Sequence, residues 1–225
     1  MKAMQRAWFV TGTDTGVGKT LVSAALLTAL ARSGRRVVGM KPVASGCDAT
    51  PHGLRSADAE ALRVAGNVPA DYEAINPYAL AAPTAPHLAA ATAGVQIDLA
   101  TIRAHYARLA ARADDVVVEG IGGWLVPINR NQTMADVVRA LELPVILVVR
   151  MRLGCLNHAL LTQSAVAASG CRLVAWVANA LEGDMPEGYG EALTDRLDAP
   201  CLGIIPAMSS VAMAADILDL RVLDT

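Results

Sequence analysis

A glycine-rich stretch near the amino terminus constrains this chain more than any other feature. The stretch Gly12-Thr13-Asp14-Thr15-Gly16-Val17-Gly18-Lys19-Thr20 follows an apolar run at residues 7–10 and opens an Ala- and Leu-rich stretch that ends near Ser33. This order predicts a strand, a glycine loop and a helix. In such a loop backbone N–H groups surround an anion, and the helix N-terminus adds positive potential. Lys19 is placed to reach the outer phosphates of a nucleoside triphosphate, and the Thr20 hydroxyl to ligate Mg2+.

The spacing of this loop departs from the standard phosphate-loop pattern. Five residues separate Gly12 from Gly18, whereas the pattern G-x-x-x-x-G-K-T has four. This difference limits the phosphate-loop families to which the chain can belong. The alternative is a glycine-rich turn with a solvated lysine. The strand before the loop and the helix after it favour phosphate binding.

Length, charge and cysteine usage limit the classes of function. With 225 residues and 54% hydrophobic content, residues 1–225 are expected to form a single domain. The net charge is -2, and no basic run exceeds Arg35-Arg36, so neither a nucleic-acid partner nor a membrane partner is expected. The apolar runs are too short to span a bilayer, and no signal-type segment is present, which predicts a cytoplasmic protein. The four scattered cysteines indicate free thiols rather than a metal site or disulfides.

Short β-branched runs alternate with longer Ala- and Leu-rich stretches along the chain. The predicted strands are residues 7–10, 37–40, 116–118, 145–149, 173–177 and 201–205. Such alternation predicts an α/β fold of the phosphate-loop NTPase type, with a mostly parallel sheet and helices on both faces. Residues 44–86 carry five prolines, and we expect loops there around a short helix near residues 57–64. Loops of this kind often shape a substrate pocket.

In an open parallel sheet, ligands bind beyond the carboxyl ends of the strands. Lys41 ends the second predicted strand, where a second cation would neutralise charge on a transferred phosphoryl group. Glu119 ends the third, the position of a metal-directed carboxylate in nucleotide-hydrolysing folds. From the residues alone, Asp58 is interpreted as a favourable partner for its helix dipole, without a functional role. Asn179 equally well reads a base edge or caps the next turn. The dispersed histidines form no metal or nucleophile–base pattern.

Several motifs together resemble dethiobiotin synthetase over nearly the whole chain. They are the glycine loop, Gly39-Met40-Lys41-Pro42-Val43-Ala44-Ser45-Gly46, Asp58-Ala59, Glu119-Gly120-Ile121-Gly122-Gly123 and Val177-Ala178-Asn179. The loop spacing and the Lys-Pro-Val-x-Ser-Gly segment are the specific parts, because phosphate loops in general have neither.

The resemblance implies a homodimeric ligase of biotin synthesis that uses ATP, Mg2+ and CO2. Its substrate would be 7,8-diaminononanoate, one amine of which is first carbamated. ATP phosphorylates the carbamate oxygen, and the neighbouring amine then closes the cyclic urea with loss of phosphate. This chemistry needs positioning and phosphate neutralisation more than a protein nucleophile.

The resemblance also implies the role of individual residues. Lys19 and Lys41 would be catalytic and flank the phosphates and the carbamate. Mg2+ would be held by Thr20, Asp58 and Glu119. ATP would contact Gly16, Val17, Gly18, Lys19, Thr20, Leu21, Asp58, Glu119, Gly120, Gly122, Asn179, Pro206, Ala207 and Met208, the last four on the adenine side. The diamine end of the substrate would meet Thr15 and Ser45, and its carboxylate end would meet the partner subunit through Gly154, Cys155, Leu156, Asn157 and Tyr189.

Two departures from the family pattern stand out. Gly16 occupies a position where some relatives carry Glu, a change that a phosphate loop tolerates readily. After Pro206 no acid occurs before Asp216, whereas relatives often have one sooner, so the ribose contact stays open.

Two other classes compete with the ligase. A partitioning-type ATPase has a related glycine loop but usually carries a lysine early in it, where this chain has Thr13-Asp14-Thr15. A nucleotide-binding regulatory module would use ATP only to change shape. Phosphate release that depends on the diamine and bicarbonate would distinguish the ligase from both.

Overall fold

The computed structural model describes residues 5–181, 183, 185 and 187–224, in which a six-stranded parallel sheet forms the centre. The strands in chain order are β1 (Arg6–Gly12), β2 (Val37–Met40), β3 (Val43–Ser45), β4 (Asp48–Thr50), β5 (Gly53–Arg55), β6 (Tyr78–Leu80), β7 (Asp115–Glu119), β8 (Val145–Arg150), β9 (Leu173–Asn179) and β10 (Cys201–Ile205). The helices are α1 (Lys19–Arg32), α2 (Ala57–Ala65), α3 (Tyr72–Ile75), α4 (Pro86–Thr92), α5 (Leu99–Ala110), α6 (Met134–Leu141), α7 (Cys155–Ala168), α8 (Tyr189–Thr194) and α9 (Val211–Ile217), followed by a 3-10 turn at Leu220–Leu223.

The order of the central strands is β10-β9-β8-β1-β7-β2, and every neighbouring pair is parallel. The sequence prediction of these strands is confirmed, although several run one or two residues further than predicted. Because all six strands point the same way, their carboxyl ends meet at one edge of the sheet. Gly12, Met40, Glu119 and Asn179 are the final residues of their strands at that edge.

Helices cover both faces of the sheet, as predicted. Trp8 and Val10 of β1 pack with α1 and α9, whereas Phe9 between them packs with α5 and α6. This alternation follows from the two-residue period of a strand. Both faces are therefore apolar, which explains why the central strands consist of nearly continuous Val, Ile and Leu.

The region between β2 and α4 differs from its prediction. The expected short helix exists as α2, and its capping residue Ser56 accepts a hydrogen bond from the Ala59 amide. However, β3 pairs in parallel with β6, and β4 pairs with β5 as an antiparallel hairpin, where only loops were expected. Strands of three residues are too short for a two-residue period to be recognised in sequence.

A group of charged residues stabilises the end of the sheet at which the strands begin. Asp115, fully buried at the start of β7, forms ion pairs with Arg6 and Arg35. Arg6 also pairs with Asp224, which ties the C-terminal residues to β1. These contacts lie at the end of β7 away from Glu119, so they stabilise the fold without approaching the glycine loop.

Two further sequence predictions concern membranes and cysteines. Within the described ranges, no helix is both long and apolar enough to cross a membrane. The four cysteines, all in the described part of the chain, are free thiols. Cys47 and Cys155 are buried, so their small side chains serve as packing groups.

Candidate active site

The glycine loop connects β1 directly to α1. Gly16 and Gly18 adopt positive φ angles of 70° and 90°, which glycine enters at little cost. A Cβ on Gly18 would lie only 2.0 Å from Nδ2 of Asn179, so a larger residue there would displace the Asn179 amide and strain the backbone. Gly18 is also the N-cap of α1, and no side chain caps this end. The first-turn amides of α1 therefore face the loop without a side-chain partner, as an anion-binding helix start requires.

Lys19, the first residue of α1, is nearly buried beneath this loop. Its side chain is 7% exposed, and its Nζ donates a hydrogen bond to the main-chain oxygen of Asp14 at 2.9 Å. Burial, followed by the positive charge of Lys41, lowers the pKa of Lys19 to about 8. Lys19 therefore remains mostly protonated at pH 7. Among the contacts of the described residues, it has no carboxylate partner of its own.

Lys41 follows β2 and is held by three oxygen atoms. Its Nζ lies 2.6 Å from Oε1 of Glu119 and 2.8 Å from Oδ2 of Asp58, and it donates to the Gly120 carbonyl at 2.9 Å. Burial alone would lower the pKa of Lys41, but the Glu119 and Asp58 carboxylates outweigh it and raise that pKa. Lys41, at 2% exposure, is therefore a fixed cation in the floor of the site.

Glu119 links the two lysine-bearing elements. Its Oε1 accepts hydrogen bonds from the Thr20 hydroxyl at 2.9 Å and from Lys41, whereas its buried Oε2 has no hydrogen-bond partner. A buried carboxylate oxygen without a partner is costly in an apolar interior. This atom, beside the Thr20 hydroxyl, is the kind of hard oxygen that Mg2+ prefers, so the residues fit the ion.

Asp58 reaches this cluster because α2 packs closely on β2. A Cβ on Gly39 would lie 2.7 Å from Cβ of Leu62, so the absence of a side chain at Gly39 permits the approach. Burial would raise the pKa of Asp58, but the charge and hydrogen bond of Lys41 prevail and lower it. Among the described residues, no group of three or more His, Cys, Asp or Glu side chains is arranged to hold a metal. Two carboxylates and the Thr20 hydroxyl suit Mg2+, which keeps phosphate and water ligands.

Two adjoining cavities open above these residues. The first, of about 390 Å³, is lined by Thr15, Gly16, Gly18, Lys19, Thr20, Lys41, Ala44, Ser45, Asp58, Glu119, Ile121, Gly122 and Leu181. The second, of about 470 Å³, shares Thr15, Ser45, Ile121 and Gly122 and is otherwise lined by Pro83, Thr84, Ala85, Pro86 and Val126. A charged chamber thus continues into a mainly apolar one. The proline-rich segment contributes to its wall, in agreement with the expectation that this region shapes a pocket.

Of the predicted adenine-side residues, Asn179 contacts the glycine loop. Asn179 is buried at the end of β9, where its Nδ2 donates to the Val17 carbonyl at 3.0 Å and its Oδ1 has no partner. Residues 206–208 follow β10, the neighbour of β9, and Met208 has a positive φ angle of 59° and is 93% exposed. The side chain of Leu21 packs against the core that contains α1, and it does not line either cavity.

The predicted carboxylate-binding residues lie apart from the lining of both cavities in this chain. Gly154 is the N-cap of α7, with a positive φ angle of 92°, and the amide of Cys155 is occupied by the Arg152 carbonyl at 3.0 Å. Leu156 and Tyr189 pack on the same apolar cluster, so α7 and α8 bring these residues together. Asn157 is exposed on the first turn of α7.

Some residues of the site were not predicted. Ile121 and Leu181 line the first cavity, and Arg152 approaches Asp14 of the glycine loop, with 3.6 Å between Nη2 and Oδ2. Leu181 follows Asn179 by two residues, so its nearness to the strand end was a usable signal. The Arg152–Asp14 contact joins two loops and carries no signal in sequence.

Comparison with known proteins identifies the family. The chain matches the family model described as an AAA domain over residues 6–215. It is 53% identical over 203 residues to the ATP-dependent dethiobiotin synthetase of Xanthomonas euvesicatoria pv. vesicatoria. The alignment covers 89% of this chain and 90% of the relative. It is 48% identical over 218 residues to the ATP-dependent dethiobiotin synthetase of Aromatoleum aromaticum, with coverage of 96% and 97%.

Solved structures share the fold at much lower identity. The MinC:MinD cell division complex of Aquifex aeolicus aligns with a TM-score of 0.59 and 16% identity, covering 98% of this chain and 96% of that chain. The septum site-determining protein MinD of Pyrococcus horikoshii, complexed with Mg-ADP, aligns with a TM-score of 0.53 and 18% identity. This alignment covers 90% of this chain and 82% of that chain. These likenesses support the phosphate-loop fold, whereas the close relatives extend over nearly the whole chain. The protein therefore belongs to the dethiobiotin synthetase family.

Proposed function

We propose that the chain catalyses ATP- and Mg2+-dependent ring closure of 7,8-diaminononanoate with CO2 to give dethiobiotin. The observation that carries this proposal is the pair of buried lysines at a charged cavity that opens into an apolar one. Among the described lining residues of the charged cavity there is neither a histidine nor a cysteine. Such a site suits a reaction in which phosphorylation, rather than a protein nucleophile, activates the carbon.

The reaction divides into three steps. One substrate amine adds to CO2 and loses a proton, which gives a carbamate. A carbamate oxygen then attacks the γ-phosphorus of ATP and displaces ADP. The second amine attacks the carbon of the resulting carbamic-phosphoric anhydride and expels phosphate, which closes the urea. In our proposal Lys19 and Lys41 neutralise negative charge on the phosphoryl group and on the carbamate during these steps.

Thr20, Asp58 and Glu119 would hold Mg2+ in this scheme. The ion would supply charge neutralisation and orientation for the triphosphate. Support comes from the unpartnered Oε2 of Glu119 and from the hydroxyl of Thr20 beside it. Lys41, whose Nζ already lies beside both carboxylates, would face the phosphoryl oxygens from the floor of the site.

The diamine end of the substrate would bind where the two cavities meet. Thr15 and Ser45 belong to both linings and offer hydroxyl groups at that point. The second cavity would accommodate the hydrocarbon chain of the substrate, because Pro83, Ala85, Pro86 and Val126 provide apolar surface. The nucleotide would lie along the glycine loop through residues 16–21, Gly120 and Gly122, with adenine at Asn179 and residues 206–208.

We further propose a homodimer in which a second copy completes the site. Helix α7 is mostly apolar, yet only Cys155, Ala159 and Val166 of it are buried. Leu153 before the helix is 86% exposed, and Leu161 within it is 61% exposed. Exposed apolar surface of this kind favours contact with another chain. The partner's Gly154, Cys155, Leu156, Asn157 and Tyr189 would then meet the substrate carboxylate.

Residues 1–225 would act as one ligase domain, and we expect it to work in the cytoplasm, where ATP is supplied and thiols stay reduced. The decisive experiment is an assay with purified protein, ATP, Mg2+, bicarbonate and 7,8-diaminononanoate. Dethiobiotin and phosphate should appear in equal amounts, and phosphate release should stop when the diamine or bicarbonate is omitted. Phosphate release that depends on neither the diamine nor bicarbonate would overturn the ligase proposal and favour a partitioning-type ATPase. Absence of any release would favour a regulatory module.

A further inference from the structure

A chain of hydrogen bonds connects the start of α2 to the main chain of Lys41. The Ser56 amide donates to Oη of Tyr72 at 2.6 Å, and that hydroxyl donates to Oδ1 of Asn76 at 3.0 Å. Nδ2 of Asn76 then donates to the Lys41 carbonyl at 2.7 Å. Ser56, Tyr72, Asn76 and Lys41 are all buried. The chain therefore runs through the interior without a break.

Each polar group in this chain of hydrogen bonds has a defined role as donor or acceptor. The Tyr72 hydroxyl accepts one hydrogen bond and donates one, and the orientation of the Asn76 amide is fixed because Nδ2 faces the carbonyls of Lys41 and Tyr78. Arg55 covers the outer face of the Tyr72 ring, with its guanidinium carbon 3.9 Å from the ring centroid. Fully satisfied buried networks of this kind hold their members rigidly.

The two ends of this chain of hydrogen bonds, Ser56 and Lys41, lie beside or within the Asp58–Lys41 ion pair. Ser56 caps α2, and Asp58 lies two residues further on, with Oδ2 at 2.8 Å from Nζ of Lys41. Lys41 has further anchors, since its amide donates to the Ile75 carbonyl and its Nζ meets Glu119. Asp58 has fewer constraints, because its side chain is 44% exposed and α2 spans only nine residues. The position of Asp58 thus depends on how firmly the start of α2 is held.

We propose that Tyr72, through Asn76, is a positioning residue that fixes Asp58 relative to Lys41. This inference rests on the proposed function, in which Asp58 is a Mg2+ ligand and Lys41 a catalytic cation. Loss of the Tyr72 hydroxyl would leave the Ser56 amide and Oδ1 of Asn76 unpaired in the interior. The start of α2 would then shift to satisfy them, and the Asp58 carboxylate would leave the geometry that the metal requires.

The test compares Tyr72→Phe with Tyr78→Phe. The Tyr78 hydroxyl likewise accepts a backbone hydrogen bond at a helix cap, from the Asp98 amide at 3.0 Å before α5, but α5 carries none of the proposed Mg2+ ligands. Tyr72→Phe should raise the Mg2+ concentration for half-maximal dethiobiotin formation about tenfold and lower kcat, the scale of one lost hydrogen bond. Tyr78→Phe should change the Mg2+ requirement less than about twofold. Thermal unfolding without ligand checks that both variants remain folded. Thermal unfolding with ATP and increasing Mg2+ measures binding without turnover, and Tyr72→Phe should need more Mg2+ than Tyr78→Phe for the same stabilisation.

A double-variant cycle with Asp58→Asn shows whether Tyr72 acts through Asp58. If it does, Tyr72→Phe should have little further effect on the Mg2+ requirement once Asp58 is replaced. Independent effects that multiply, or a Tyr72→Phe variant that behaves like Tyr78→Phe, would overturn the proposal. Failure of the proposed function would differ, because the wild-type protein itself would then form no dethiobiotin. An unchanged Mg2+ requirement in Asp58→Asn would also overturn the proposal, since Asp58 would then not be a metal ligand. Should Tyr72→Phe not fold, Arg55→Ala loosens the same ring from the surface and should give a smaller shift that also vanishes with Asp58→Asn.

Discussion

The unusual pKa of Lys19 predicts that ATP binding takes up a proton at alkaline pH. In the free protein burial and the charge of Lys41 lower that pKa from 10.5 to about 8. The triphosphate would reverse the shift, because its negative charge stabilises the ammonium form. At pH 9 about nine-tenths of free Lys19 is neutral and must be protonated on binding, whereas at pH 7 only about one-tenth is.

These fractions give the size of the effect on affinity. The dissociation constant of Mg-ATP should rise roughly tenfold between pH 7 and pH 9, since binding requires the protonated lysine. Folding stability should instead increase as the pH rises, whereas the affinity for Mg-ATP falls. The folded-state pKa lies below the unfolded one, so the cost of burying the charge is present below pH 8 and is relieved as the pH rises from about 8 to 10.5.

Isothermal titration calorimetry at pH 9 measures the proton directly. Titrations in two buffers with different ionisation enthalpies should give an uptake near one proton for the wild-type protein, about 0.9. Lys19→Arg is the matched control, because its guanidinium keeps the charge and does not titrate in this range. Lys41 should not contribute, since its pKa is raised. Equal proton uptake by wild type and Lys19→Arg would refute the reasoning.

Two further predictions separate the site from the scaffold. Glu119→Gln should raise the Mg2+ requirement of dethiobiotin formation about ten- to hundredfold, because the charge that would hold the metal is lost; an unchanged titration would make Glu119 a structural partner of Lys41. Asp115→Asn should lower the free energy of unfolding by about 2–4 kcal/mol, because Arg6 and Arg35 lose a buried counter-ion. Urea denaturation measures this loss, and Mg-ATP affinity at neutral pH should stay within about twofold, since Asp115 and Glu119 lie at opposite ends of β7.

The sequence predicts those parts of the site that depend on strand ends. Lys41 and Glu119 directly follow or end neighbouring strands, β2 and β7, and a parallel sheet brings such residues to one edge. The 2.6 Å contact between them agrees with that logic. The glycine loop is equally local, since a strand, a short loop and a helix are contiguous in the chain.

Residues that reach the site through packing were harder to predict. The residues alone gave Asp58 no functional role, and only the family resemblance did, because its approach to Lys41 depends on α2 lying against Gly39, a contact between separate segments. The hydrogen bonds of Tyr72 and Asn76 join two irregular segments, and their pattern has no period or fixed spacing. The three-residue strands β3 to β6 escaped notice for a related reason, as they are stabilised by pairing more than by their own propensity.

The proposal of a site shared between two subunits makes a prediction about mixed dimers. If the partner's Asn157 meets the substrate carboxylate, each active site needs Lys19 from one chain and Asn157 from the other. Lys19→Ala and a bulky replacement, Asn157→Trp, should each be nearly inactive as homodimers. When the two variants are mixed under conditions that exchange subunits, about half of the dimers contain one of each.

In each mixed dimer one site collects both substitutions and the other collects none. Activity should therefore recover to roughly a quarter of the wild-type value, since one intact site remains in half of the dimers. Differently tagged chains, purified in sequence, would confirm that exchange took place and would isolate the mixed dimer, whose activity should reach about half of wild type. If mixed dimers form but stay inactive, the carboxylate pocket lies within a single subunit. The start of α7 would then contribute to the interface or the fold, and the exposed Leu153 and Leu161 would keep only a packing role.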